Sequence, residues 1–266
     1  ILFRRSIIAN ARVNRQMVPD KDKDKDKDKG NDKEKFLRPI RSFVRRNGRI
    51  SIAQEKHLQE TFPQVELKND LQNLQNFHEI FAKNFDNLIL EIGFGMGNAT
   101  AEIAENFSQN AYIACDVHLP GVGALCKLIA EKNLQNIKIF CGDALELLQN
   151  LEENSLDGIN IFFPDPWHKK RHHKRRLINE KFLDLILPKL KTKAFVHLAT
   201  DWQEYAEHMQ NVFAENDNFE NLQNLQNLPN FHEKSNIFFR PKTKFELRGE
   251  KLGHGVWDFV FIKNKK

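Results

Sequence analysis

The sequence is poor in cysteine and has no long apolar run, and each shortage excludes a class of protein. Its three cysteines, Cys115, Cys126 and Cys141, are odd in number and show no metal-ligand spacing. They do not make a disulfide framework or a zinc module, and they read as buried, reduced thiols of a cytosolic protein. No metal is therefore expected. No stretch reaches the roughly 18 consecutive apolar residues that a membrane span needs. The opening ILFRRSIIANARVNRQMVPD is basic and partly apolar, but Arg interrupts it too often for a secretory signal. The sequence does not begin with Met, and the expectation is that Met17 is the start and residues 1–16 are translated upstream sequence.

What is present suits one large domain with extensions. About 40% of the 266 residues are hydrophobic, enough for a sizeable core. The net charge is +5, and the basic residues cluster at 38–49 and 169–176. Clustered basic surface is the footprint of a polyanionic partner. Residues 20–35, DKDKDKDKDKGNDKEK, offer nothing apolar to bury, so they cannot offset their ordering entropy and are expected to be disordered. The strings LQNLQNFHE (71–79) and LQNLQNLPNFHE (222–233) echo each other across unrelated sequence and read as insertions in surface connections.

From about residue 86 the pattern alternates. Strands are expected at 88–92, 112–115, 137–141, 156–163, 194–199 and 257–262, and helices at 99–107, 122–132 and 182–190. Continuous apolar strands alternating with helices imply an α/β fold with a mainly parallel sheet covered on both faces.

Ligands of such sheets bind beyond the carboxyl ends of the strands. Those ends carry Glu91, Asp116, Asp143, Asp165 and Asp201. The turn Gly93-Phe94-Gly95-Met96-Gly97 is GxGxG, whose missing side chains let backbone approach a ligand. Asn98 stands where a dinucleotide fingerprint wants glycine, so an adenosine ligand without a pyrophosphate fits better than NAD. Asp116, about 20 residues further on, can accept from both ribose hydroxyls. After the third strand Asp143 can contact the adenine amino group, and at the end of the first Glu91 can receive an amino acid ammonium or a neighbouring backbone donor.

The turn Pro164-Asp165-Pro166-Trp167 sets a carboxylate between two prolines, each of which fixes its own φ and restricts its predecessor. Asp165 can accept from a base edge and Trp167 can stack. His168-Lys169-Lys170-Arg171-His172-His173-Lys174-Arg175-Arg176 follows, with six of nine residues Lys or Arg, suited to phosphates of RNA.

At these residues the chain resembles the bacterial tRNA (guanine-N7-)-methyltransferase family. The matching segments are RPIRSFVRRNGRIS (38–51), LEIGFGMG (90–97), HLPGVG (118–123), FFPDPWHKKRHHKRR (162–176), ATDWQEYAEHM (199–209) and RPKTKFELRGEKLGHGVWDFVF (240–261). The resemblance implies a class I methyltransferase fold, Rossmann-like, with a seven-stranded sheet whose last strands run antiparallel. It divides the chain into a disordered extension at 1–35 and a methyltransferase domain at 36–266. It implies transfer of a methyl group from S-adenosyl-L-methionine to N7 of guanine 46 in the variable loop of tRNA. It assigns Glu91, Gly93, Gly95, Gly97, Asp116, Asp143 and Asp165 to the cofactor, with Asp165 also catalytic. Lys169, Asp201, Thr243, Lys244, Phe245 and Glu246 go to the substrate. Arg171, His172, His173, Lys174, Arg175 and Arg176 go to RNA. Asp116 departs from the family, where Glu is usual. The implied partner is tRNA, the implied location cytoplasmic, and the oligomeric state monomer or homodimer. Other readings are an amino-methyltransferase, or an RNA-binding protein that kept the fold without chemistry.

Overall fold

The computed structural model describes residues 41–43, 48–68, 80–81, 84–222, 238–242, 246 and 255–264. The Lys-Asp tract, the first LQNLQN string and all but Leu222 of the second lie outside these residues, as do Thr243, Lys244 and Phe245. All described residues fall in one compact unit, 40–266.

A seven-stranded sheet forms the frame, made of β1 (Asn87–Ile92), β2 (Asn110–Asp116), β3 (Ile137–Cys141), β4 (Leu156–Phe162), β5 (Leu190–Thr200), β6 (Phe219–Asn221) and β7 (Trp257–Lys263). The spatial order is β3-β2-β1-β4-β5-β7-β6. Strands β1 to β5 pair in parallel, while β7 runs antiparallel to both β5 and β6. This is the class I methyltransferase topology that the resemblance implies. The order reverses between β1 and β4, which opens a crevice at their carboxyl ends.

The helices are α1 (Ile52–Glu60), α2 (Phe62–Val65), α3 (Asn98–Asn106), α4 (Leu119–Lys132), α5 (Ala144–Asn150), α6 (Glu180–Ile186) and α7 (Gln203–Ala214), with a 3-10 helix at Lys170–Arg175. Helix α4 buries Val122, Leu125, Cys126 and Ile129 on one face, at helical spacing, and ends where Asn133 turns left-handed. Its neighbour α1 opens on a capping box between Ser51 and Gln54. The two helices approach closely at Gly123, where a Cβ would lie 2.9 Å from the Gln54 carbonyl oxygen.

The core forms on both faces of the sheet. Leu90, Ile113, Ile159, Ile161, Val196 and Leu198 pack with residues of α5, α6 and α7 on one side. Ile89, Tyr112, Ala114, Ile137 and Ile139 pack with residues of α1, α3 and α4 on the other. Each fully buried Leu or Ile contributes roughly 1.5–3 kcal/mol relative to exposure.

Several expectations change. Residue 190 is in β5, because the helix expected over 182–190 ends at Ile186 and a turn closes with Lys189 N–H donating to the Ile186 carbonyl. Helices α1, α5 and α7 and strand β6 did not emerge from apolar periodicity. The first half of α7 lies within a recognised motif, but its apolar positions are sparse.

Candidate active site

The first wall of the crevice is the turn after β1. Gly93, Gly95 and Gly97 all have left-handed φ, at 82°, 59° and 74°. A Cβ on Gly93 or Gly95 would meet open space, so there the backbone faces the crevice directly. A Cβ on Gly121 would lie 1.9 Å from the Gly95 carbonyl oxygen, so α4 can begin against the turn only because residue 121 is glycine.

Asp116 ties this wall together. Its Oδ2 accepts from Gly95 N–H and its Oδ1 from His118 N–H, both at 2.8 Å. Burial pushes the Asp116 carboxyl up, while these two backbone bonds pull it down. Asp143 caps α5, accepting from Leu145 N–H at 3.0 Å. Glu91 is 3% exposed in the middle of the sheet. Its Oε2 and the Thr100 hydroxyl oxygen are buried with no hydrogen-bond partner among the described residues. Burial pushes the Glu91 carboxyl up to about 7, with the nearby Asp116 charge adding to the rise. A buried carboxylate oxygen without a partner fits a bound ammonium or hydroxyl donor. Together with the bare glycine backbone, this donor and acceptor set fits S-adenosylmethionine.

The second wall is the turn after β4. Phe163 and Trp167 bracket Pro164-Asp165-Pro166 with left-handed φ of 53° and 49°, an uncommon backbone for bulky residues. The carboxylate of Asp165 is exposed at the crevice end of the strand. Lys169 is exposed as well, and Asp201 lies half-buried after β5. Register places the two walls side by side, since Glu91 pairs with Asn160 and Asn160 with His197.

Trp167 is placed differently from expectation. Its indole N–H donates to the Ser42 carbonyl at 3.2 Å, the Arg175 guanidinium lies 4.9 Å over its ring, and His172 packs at right angles to it. The ring is thus packed within the protein and is not offered as a stacking surface.

The basic stretch divides. Lys169, Lys170, Arg171 and Lys174 are exposed, and His172, His173 and Arg175 are half-buried. Arg176, expected at the RNA, is 3% exposed. It donates to the Pro166 carbonyl at 3.0 Å, lies 4.9 Å over the Tyr205 ring and approaches Glu204 at 3.5 Å. Its charge is spent on holding the Asp165 turn against α7, because the guanidinium points inward from the end of the 3-10 helix.

The third part is an ionic cluster at the start of β7. Arg240 donates to both oxygens of Asp258, at 2.9 and 2.7 Å, and also to both oxygens of Glu246. Asp258 also meets His197 at 3.1 Å. Burial works against ionising Asp258, but the bonds from His197 and Arg240 outweigh it and hold its carboxyl well below the usual carboxylate range. Glu246, expected at the base, is 4% exposed and engaged by Arg240, so here it anchors the segment. Sequence reasoning assigned no role to Asn160, His197, Arg240 or Asp258. The available signal was a polar residue inside an apolar run, as in Ile159-Asn160-Ile161 and Val196-His197-Leu198. Among the described residues no cluster of His, Cys, Asp and Glu could hold a metal, and no helix is long and apolar enough to cross a membrane.

Comparison with known proteins agrees with this geometry. A family model described as "Putative methyltransferase" matches residues 86–259. A tRNA (guanine-N(7)-)-methyltransferase of Neisseria meningitidis serogroup C is 47% identical over 233 residues, covering 87% of this chain and 94% of that protein. One from Legionella pneumophila is 46% identical over 230 residues, covering 86% and 95%. One from Mannheimia succiniciproducens is 42% identical over 236 residues, covering 86% and 90%. The matched span includes the glycine turn and the Asp165 turn, and the chain belongs to the tRNA (guanine-N(7)-)-methyltransferase family.

Proposed function

We propose that the protein methylates N7 of guanine 46 in the variable loop of tRNA, with S-adenosylmethionine as the methyl donor, in the cytoplasm. The observation that carries this is the meeting of two unlike walls at one switch point. A glycine-and-carboxylate wall suits an adenosine cofactor, and an exposed Asp165 leads straight into a basic surface suited to RNA.

S-adenosylmethionine supplies a methyl group already activated on a sulfonium sulfur. Glu91, Asp116, Asp143 and the backbone at Gly93, Gly95 and Gly97 hold it. Guanine N7 carries no proton and is a lone-pair nucleophile. The chain therefore needs no general base to expose it, and Asp165 is freed from that task. Its work is to orient the base and to stabilise the positive charge that develops on the purine, a form of electrostatic preorganisation. Asp201 accepts from the N1 and N2 donors of guanine, and Lys169 with Thr243, Lys244 and Phe245 frames the base. Lys170, Arg171, His172, His173, Lys174 and Arg175 meet the phosphate backbone. N7 is buried in folded tRNA, so the base must be extruded or its tertiary pairing loosened.

Nucleoside analysis of tRNA after reaction with purified protein and labelled cofactor tests the assignment. The expected product is 7-methylguanosine. N2-methylguanosine or N6-methyladenosine in its place overturns it.

A further inference from the structure

An extruded base needs a flat partner, and the described residues offer one that no role has yet been given. Trp202 follows Asp201 at the carboxyl end of β5 and caps the start of α7 with extended backbone. Its N–H donates to the Thr200 hydroxyl at 3.3 Å, which fixes the backbone where the indole leaves it. The side chain is 37% exposed, one of few large apolar groups so exposed. Its ring contact is with His168, at 4.2 Å between centroids and 79° between planes. An edge-to-face contact of this kind occupies at most one face of the indole, so His168 leaves another face uncovered. The same contact sets Trp202 beside the Asp165 turn, because His168 immediately follows Trp167.

Neither of the other two tryptophans offers this. Trp167 is packed against Ser42, His172 and Arg175, and Trp257 lies on β7 with its ring against the core. Every nucleobase has a π-face that stacks on an aromatic ring.

We infer that Trp202 is the stacking platform for the extruded guanine, with His168 buttressing the indole and Asp201 reading the base edge beside it. This rests on the tRNA reading above. The platform follows the carboxyl end of β5 and touches the residue after the Asp165 turn, so it is assigned to the substrate and not to the cofactor.

The test compares Trp202→Phe with Trp202→Leu in the full-length protein, measuring kcat and KM for tRNA, S-adenosylmethionine Kd and thermal midpoint. Stacking predicts that Phe stays within about threefold of the parent kcat/KM, while Leu loses about 10- to 100-fold, the range of a lost base–aromatic stack. Cofactor Kd stays within about twofold in both. Equal activity of Leu and Phe overturns the inference, and so does a loss traced to weaker cofactor binding. Should the Leu variant fail to fold, Trp202→Ala takes its place against Phe under the same criteria. If the parent protein yields a nucleoside other than 7-methylguanosine, the guanine reading falls, and the contrast between aromatic and aliphatic variants still decides whether Trp202 stacks the base that is modified.

Discussion

The two walls of the crevice are built in opposite ways. On the β1–β3 side, Asp116 and Asp143 are held by backbone N–H groups within or next to the turns that they serve. On the β4–β7 side, the turn is tied to distant parts of the chain, and the terminal segment is held by side chains of its own. Trp167 reaches Ser42, Arg176 reaches Glu204, and Arg240 spans Glu246 and Asp258. The difference follows from the ligands. A small, invariant cofactor suits a rigid pocket of backbone donors. A folded RNA needs an open, charged surface whose geometry is kept by side-chain ties.

The strongest way to break this comparison is Asp165→Ala. Turnover should fall by about 10²- to 10³-fold, the usual loss when a transition-state electrostatic group is removed. Affinity for tRNA, measured by filter binding, should stay nearly constant. A parallel loss of binding would make Asp165 a positioning residue instead.

Next comes Arg240→Met, which leaves the Glu246 and Asp258 carboxylates without their main partner. Breaking a buried ionic cluster from one side costs about 3 kcal/mol, readable by urea unfolding. Cofactor affinity at the far wall should not change, and a loss there would show that the walls are coupled.

A smaller effect sharpens the cofactor wall. Glu91 sits at about 7, raised from its ordinary 4.5 mainly by burial. Between those values the folded chain holds a proton that the unfolded chain has released. Without cofactor, stability should therefore decline as pH rises through that window. Cofactor binding that uses the carboxylate should weaken as pH falls through about 7. Urea unfolding from pH 5 to 7 reads the first sign, titration calorimetry from pH 6 to 8 reads the second, and Glu91→Gln should flatten both.

The smallest expected effect separates neighbours in the basic stretch. Arg175→Ala should reduce the slope of log affinity for tRNA against log salt by about 1, as expected for one lost phosphate contact. Arg176→Ala should leave that slope alone and lower the melting temperature, because its guanidinium lies inside.

Much of this was legible in the residues. The β1–Gly93–Gly97–α3 unit and the carboxylates at the ends of β2 and β3 are local features, in which spacing alone puts a polar group after an apolar strand. Helix α7 was less so, since its apolar positions Tyr205, Met209 and Val212 are interleaved with polar ones that look like loop. Among the site residues, Trp202 was passed over and Trp167 preferred, because both follow a strand-end aspartate in chain order and only their tertiary contacts separate them.

By itself the sequence determined the layered fold and the acidic strand ends, because these rest on hydrophobic periodicity and turn chemistry over short spans, and whole motifs carried the resemblance to the family. Tertiary structure alone decided which members of a contiguous motif face the ligand. Trp167 turns away because of a residue 125 positions earlier, and Arg176 because of one 28 positions later. A buried cation or a hydrogen-bonded indole is committed by the partner that satisfies it, and that partner cannot be read from the motif that contains it.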